Sequence, residues 1–432
     1  MNVMTKPKPD LTDTVVTEAD LAEGERRLAL LREVMREQGF DAFIVNDGGN
    51  MGGHGGFQSQ PVQYLTNFWL PTIPLNVVVP LEGEAALIMK PGFDYSFVRE
   101  AERQSWIRNV IGLDMATDIT ALEATEAKTE TANAIADVLK KAGIEGGHFA
   151  VLGGDWPGLA ELKELLPEAE FEAVATPSWL STIGGSFGRL AEKTRSFGDM
   201  YREVSDWQIN RLEEATDAGY AAILDYIAAA RRGKTILEAH REAVAAATIA
   251  GADAIQMYGT INADPWRYWT ISSASPDVTF KSGQMYLIQC GNVAVKGYSS
   301  QMARTFVVGE PTKAQQRVMD MMRATHELIV AESKIGRAGK EIWAMVEPML
   351  KKEGLEAWSQ FGHTMGIGKI MSYSDVMGPW SDGVIAENMV ITVHPCIYDP
   401  ETGDHGMTSD CYIVKNGEMR NLARNPLPHT LF

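Results

Sequence analysis

Leu287-Ile288-Gln289-Cys290-Gly291 is followed by Gly297-Tyr298-Ser299-Ser300-Gln301-Met302-Ala303-Arg304-Thr305-Phe306. Runs of this kind read as strands, here Gln284–Cys290 and Ala303–Val308. Upstream lie two long stretches of helical periodicity, Asp206–Ala230 and Leu237–Ala250. Downstream come two more, Lys313–Ser333 and Glu341–Lys352, the first opened by a Thr312 cap. Strands Met389–Val393 and Cys411–Val414 follow. Helix, helix, strand, strand therefore occurs in 205–309 and again in 312–416, an order that predicts a pseudo-twofold core with a cleft between the halves.

Before residue 205 the texture is different. A helix is predicted over Ala19–Gln38, with Leu21, Leu28, Leu31 and Met35 on one face and Gly39 at its end. Strand Asp41–Asn46, a glycine-rich loop over Asp47–Pro61, and strands Leu75–Val79 and Ala85–Met89 around the turn Glu82-Gly83 come next. Helix Glu130–Lys141, strand Phe149–Leu152 and helix Leu159–Leu166 continue the alternation, which predicts an α/β domain. The expected organisation is a flexible tail over 1–17, an α/β domain over 18–204 and an α+β domain over 205–432.

Composition narrows the function classes. Fifty-seven acidic against 39 basic residues give a net charge of −18, which repels phosphate backbones and argues against a nucleic-acid partner. No apolar run is long enough to span a bilayer, and Met1–Val16 lacks the apolar core of a secretory signal. Cys290, Cys396 and Cys411 sit in strand-like runs and read as buried, reduced thiols, so a cytoplasmic location is expected.

Taken together, the runs resemble the family of methionine aminopeptidase, prolidase, aminopeptidase P and creatinase. Leu287–Gly291 and Gly297–Phe306 resemble the family's first and second metal strands. Phe361-Gly362-His363-Thr364-Met365-Gly366-Ile367-Gly368 resembles its glycine-flanked histidine segment. Asn388–Tyr398 resembles the strand that carries a glutamate before Pro-Gly, and Tyr64-Leu65-Thr66-Asn67-Phe68 the YLTGF segment. The resemblance implies a creatinase-like α/β domain joined to a pita-bread domain, and a homodimer.

Metallo-members of that family hold two divalent ions with two aspartates, a histidine and two glutamates. By the same resemblance, those positions here carry Gln289, Gln301 with one extra residue in the intervening loop, His363, His394 and Ser409, beside Asp410. Bridging two divalent ions requires carboxylates, so no two-metal cofactor is expected. A single ion on His363 and His394, with Asp404, His405 or Asp410, is the arrangement left open. Creatinase works without metal, but its catalytic histidine falls where this chain reads Trp266-Arg267-Tyr268-Trp269, and its glutamates are replaced by Ala303 and His394.

The remaining chemistry centres on His363 and His394, imidazoles suited to moving protons near neutrality. Gln289 and Gln301 are expected to orient a neutral substrate, with His405 and Asp410 nearby, although for His405 a surface turn is the plainer reading. Trp266, Tyr268, Trp269 and Tyr298 supply aromatic walls, with Tyr373, Trp380 and Tyr398 in other site-facing segments. His54, Asn67 and Trp69 are candidates to reach a partner subunit's site. These features lead to an expectation of metal-independent cleavage of a small aromatic molecule, with a lyase favoured over a creatinase-like C–N hydrolase. A non-catalytic binding or scaffold protein is the third class.

Overall fold

The computed structural model describes residues 15–47, 60–68, 75–89, 96–113, 124–152, 158–174, 200, 203–261, 270–271, 277–357, 360–365, 377–379, 381 and 383–431. The chain divides near residue 200 into two compact units.

The first unit opens with helix Glu18–Gln38, started by a reciprocal capping box between Thr17 and Asp20 and stopped by Gly39 at φ 78°. Its sheet contains β1 (Ala42–Asp47), β2 (Leu75–Pro80), β3 (Ala86–Met89), β4 (Asn109–Gly112), β5 (His148–Leu152) and β6 (Glu170–Val174), in the order β4-β3-β2-β1-β5-β6. Pairing is mixed: β1 runs antiparallel to β2 and parallel to β5. Helices Ala124–Lys141 and Leu159–Leu165 cover one face through Ile135, Leu139 and Leu162, packed on Ile44, Ile88 and Val151. The predicted α/β character holds. Helices Gln60–Thr66 and Ser96–Gln104 are additions the periodicity did not show.

The second unit repeats one plan. Helices Asp206–Arg231 and Ile236–Ile249 precede β7 (Ala254–Ile261), β8 (Thr270–Ile271), β9 (Met285–Val295) and β10 (Tyr298–Val307). Helices Lys313–Glu332 and Gly339–Lys352 then precede β11 (Glu356–Ala357), β12 (Gly362–Met365), β13 (Val390–Val393), β14 (Cys396–Tyr398), β15 (His405–Met407), β16 (Asp410–Lys415), β17 (Glu418–Asn421) and β18 (Thr430–Leu431). Ser205, Thr235 and Thr312 each cap a helix through a capping box with Gln208, Glu238 and Gln315. The sheets run β18-β10-β9-β7-β8, β11-β14-β15 and β12-β13-β16-β17. The predicted helix, helix, strand, strand order is present in both halves, with further strands inserted in each.

Each half buries one sheet face under its helices. Cys290, Val293, Met302 and Phe306 pack with Ile223, Tyr226 and Ile227 of the first helix pair. Phe361, Ile391, Val393, Tyr412 and Val414 pack with Val318, Met322 and Val346 of the second. Because strand side chains alternate, the intervening residues face the other way. All three cysteines are buried thiols outside any disulfide, as expected.

Candidate functional site

The opposite faces carry the polar side chains. Gln289 pairs directly with Ala303 across β9 and β10, so their side chains share a face, and Gln301 joins them two residues back along β10. The extra residue counted between Gln289 and Gln301 is absorbed as a β-bulge. Ser300 opposes Val293 and Met302 opposes Cys290, leaving residues 291 and 292 of β9 against Gln301 alone. Strand β7 shows the same shift, with Gln256 opposite Asn292 and Met257 opposite Cys290. By restoring the alternation, the bulge keeps both glutamines on one face.

The second sheet meets this face through a chain of short contacts. Ala303 and Ser409 exchange two backbone hydrogen bonds of 3.0 Å. Ser409 Oγ lies 3.0 Å from Thr392 Oγ1, and Thr392 pairs with His363. The Cys411 thiol donates to Gln301 O at 3.2 Å, and Gln301 N donates to Cys411 Sγ at 3.3 Å. Cys396 packs with Leu287, Ala303 and Met407, and its Sγ lies 3.9 Å from His394 Nδ1. The His363 and His394 rings meet edge-on, with centroids 5.1 Å apart at 62°. Gln289, Gln301, His363, His394 and Ser409 thus converge, all buried, at the junction of two sheets.

Two electronic details matter. His363 Nδ1 lies 2.9 Å from the Thr364 carbonyl, which can only accept, so Nδ1 carries the proton and Nε2 the lone pair. Among the described residues, the Oε1 atoms of Gln289 and Gln301 have no hydrogen-bond donor, although both side chains are buried. A buried acceptor left this way costs free energy until something donates to it.

Asp410 does not belong to this face. It pairs with Val393 on the helix-covered side, one residue out of phase with Ser409. There its Oδ1 takes Arg304 Nη2 at 2.8 Å and the Tyr220 hydroxyl. Burial favours the protonated acid, but Arg304's charge, the His429 contact and the Tyr220 hydroxyl hold its pKa well below the usual carboxylate range. His405 also departs from expectation: it is 3% exposed on β15, not part of a surface turn. Its position is fixed by β15 pairing with β14, a contact the turn-like local sequence does not announce. Tyr298 is fully buried edge-on to Trp207 at 5.2 Å, and Asn67 ends its helix in the left-handed region at φ 56°. Trp266, Tyr268, Trp269, Tyr373, Trp380, His54, Trp69 and the first 14 residues lie outside the described residues. Sequence reasoning missed His326 and His429, which flank Asp410. Neither sits in a recognisable motif, so no local signal marked them.

Comparison with known proteins places these findings. The model of metallopeptidase family M24 matches residues 192–416, and that of the creatinase/prolidase N-terminal domain matches 27–178. An uncharacterized peptidase of Bacillus subtilis is 32% identical over 152 residues, covering 35% of this chain and 42% of the relative. The Xaa-Pro dipeptidase of Pyrococcus horikoshii is 25% identical over 224 residues, covering 51% of this chain and 63% of the relative. The chain thus spans about half the length of the curated relatives it matches. The crystal structure of the prolidase from Pyrococcus horikoshii superposes with a TM-score of 0.69 at 17% identity, covering 94% of this chain and 99% of that one. The two-domain architecture with a pita-bread second domain is therefore confirmed. The expected lyase acting on an aromatic molecule is corrected, since the matching family is one of peptidases and the relatives are named as a peptidase, a dipeptidase and a prolidase.

Proposed function

We propose, from the premise that this chain belongs to metallopeptidase family M24, that it hydrolyses the C–N bond of a small amide, ureido or guanidino compound. The observation that carries this reading is the pair of buried glutamine Oε1 atoms at the sheet junction where His363 and His394 meet edge-on. Those acceptors suit a substrate rich in N–H donors, which is what such C–N compounds present.

The family's two-ion chemistry does not fit these side chains. Two amides, two imidazoles and a hydroxyl offer no carboxylate to bridge divalent ions or offset their charge. Proton transfer is therefore assigned to the chain's own groups. His363 Nε2 takes a proton from water as its oxygen attacks the electrophilic carbon. The C–N bond then breaks as His394, starting as the imidazolium, delivers a proton to the departing nitrogen, leaving the oxygenated product and an amine. The proton held by His363 then passes to His394 and restores both rings. Thr364 O fixes the His363 tautomer through Nδ1, and Gln289 and Gln301 hold the substrate's N–H groups.

The test is a panel of dipeptides, N-acyl amines, ureido and guanidino compounds, assayed for amine release in oxygen-18 water. Label should enter the product, and His363→Gln should lower turnover about 10²- to 10⁴-fold, the usual contribution of a positioned acid or base. Product without label, or full activity in a His363→Gln/His394→Gln protein, would sink the proposal.

A further inference from the structure

The geometry points to a mononuclear site for a divalent transition-metal ion of the zinc class, formed by His326, Asp410 and His429. It lies on the helix-covered side of β16, away from the face that carries His363 and His394.

Asp410 is oriented for such a role. Arg304 and the Tyr220 hydroxyl occupy its Oδ1, leaving Oδ2 to two imidazoles. His429 Nδ1 is 3.3 Å from Oδ2 and His326 Nε2 is 3.8 Å from it. The three donor atoms lie within 4.8 Å of one another. In tetrahedral zinc sites, bonds of about 2.0–2.1 Å set ligand atoms about 3.3 Å apart, so the His429–Asp410 edge already matches and the longest edge closes by up to about 1.5 Å on binding.

His326 is fully buried and Asp410 1% exposed, while the His429 side chain retains 22% exposure and offers the way in.

Arg304 is the obvious objection, because its charge repels a cation. It is fully buried, however, and its guanidinium also donates to the carbonyls of Ala303, Ser409, Leu427 and Pro428 at 2.7–2.9 Å. It thus acts as an outer partner that fixes which carboxylate oxygen is presented, as in many metal sites. Competition comes from the Tyr412 hydroxyl, 2.9 Å from His326 Nε2, and Thr408 Oγ1, 3.4 Å from His429 Nδ1. Both contacts are neutral and yield to a metal bond.

The three ligands come from helix Lys313–Glu332, strand β16 and the segment leading into β18. That segment pairs in parallel with β10, Thr305 against Thr430. An ion here fastens the C-terminal strand to the second helix pair, so its role is structural. Zinc and cobalt share this donor preference, and cobalt adds a visible spectrum that reports coordination.

The experiment uses the full chain expressed without a histidine tag. Metal content is measured by mass spectrometry, and the apoprotein is titrated with Co²⁺ while its visible bands and thermal melting are followed. About one ion per chain is expected, with tetrahedral cobalt bands and a Tm that falls on chelation. His429→Gln, at a partly exposed position, should fold, reduce occupancy at least tenfold and abolish the bands. His363→Gln/His394→Gln should retain both. Absence of stoichiometric binding overturns the assignment. So does retention of metal in His429→Gln, or its loss only in the His363/His394 protein, which would move the ion to the other face. Asp410 substitutions are avoided because they leave Arg304 uncompensated.

Discussion

Gly362→Ala tests how closely the two histidines are held. Gly362 opposes Val393 at the seam between β12 and β13, where His394 N donates to Phe361 O at 2.9 Å. A Cβ added at Gly362 would meet the Thr392 carbonyl oxygen inside 3.0 Å, a distance real Cβ atoms essentially never show, and Met377 Sδ at 3.1 Å. The sulfur can swing aside, but the carbonyl belongs to the strand and cannot. Restoring ordinary contact requires the strands to part by about 1 Å. Overpacking of this kind costs about 1–3 kcal/mol. For a unit of this size, 2 kcal/mol lowers the Tm by about 4–8 °C. Since His363 is the next residue, the same shift separates it from His394, and a displacement of about 1 Å is worth about 100-fold in turnover. Gly219→Ala is the control. Its Cβ would press on the thioether end of Met302, a flexible group on the helix-covered face, and alanine gains about 1 kcal/mol of helix propensity over glycine. Differential scanning calorimetry and amine-release kinetics should show both losses in Gly362→Ala and normal turnover in Gly219→Ala. Wild-type melting and turnover in Gly362→Ala would refute the reasoning.

Two further outcomes follow from buried charge. Arg304→Met removes the partner of a 1%-exposed Asp410 and should cost about 3–5 kcal/mol in denaturant unfolding; a loss below 1 kcal/mol would show that the pair is not isolated from water. His240 is 2% exposed, and burial lowers its pKa from 6.5 to about 4. The unfolded chain therefore takes up this proton first, so the stability is intact above pH 6.5 and falls as pH drops toward 4, by on the order of 3 kcal/mol. His240→Gln should flatten that part of the stability–pH curve, and an unchanged curve would contradict the burial effect.

Much of the fold was legible because its signals are local. Thr17, Ser205 and Thr312 mark helix starts through partners three residues on, and the periodicity of 206–231 and 313–332 shows on the chain itself. The resemblance to the aminopeptidase and creatinase family, not spacing by itself, also assigned Gln289, Gln301, His363, His394 and Ser409 to one constellation. Sheet register decided the rest. Ser409 and Asp410 are neighbours in the chain, yet pairing through Ala303 and Val393 sends them to opposite faces. The bulge at residues 291–292 sets the face of Gln301, and β14 pairing buries His405. His326, Asp410 and His429 meet only because helix packing and a parallel C-terminal strand bring distant segments together. A strand's alternation is written locally, but its phase depends on a partner far along the chain, and a one-residue slip exchanges the site for the core.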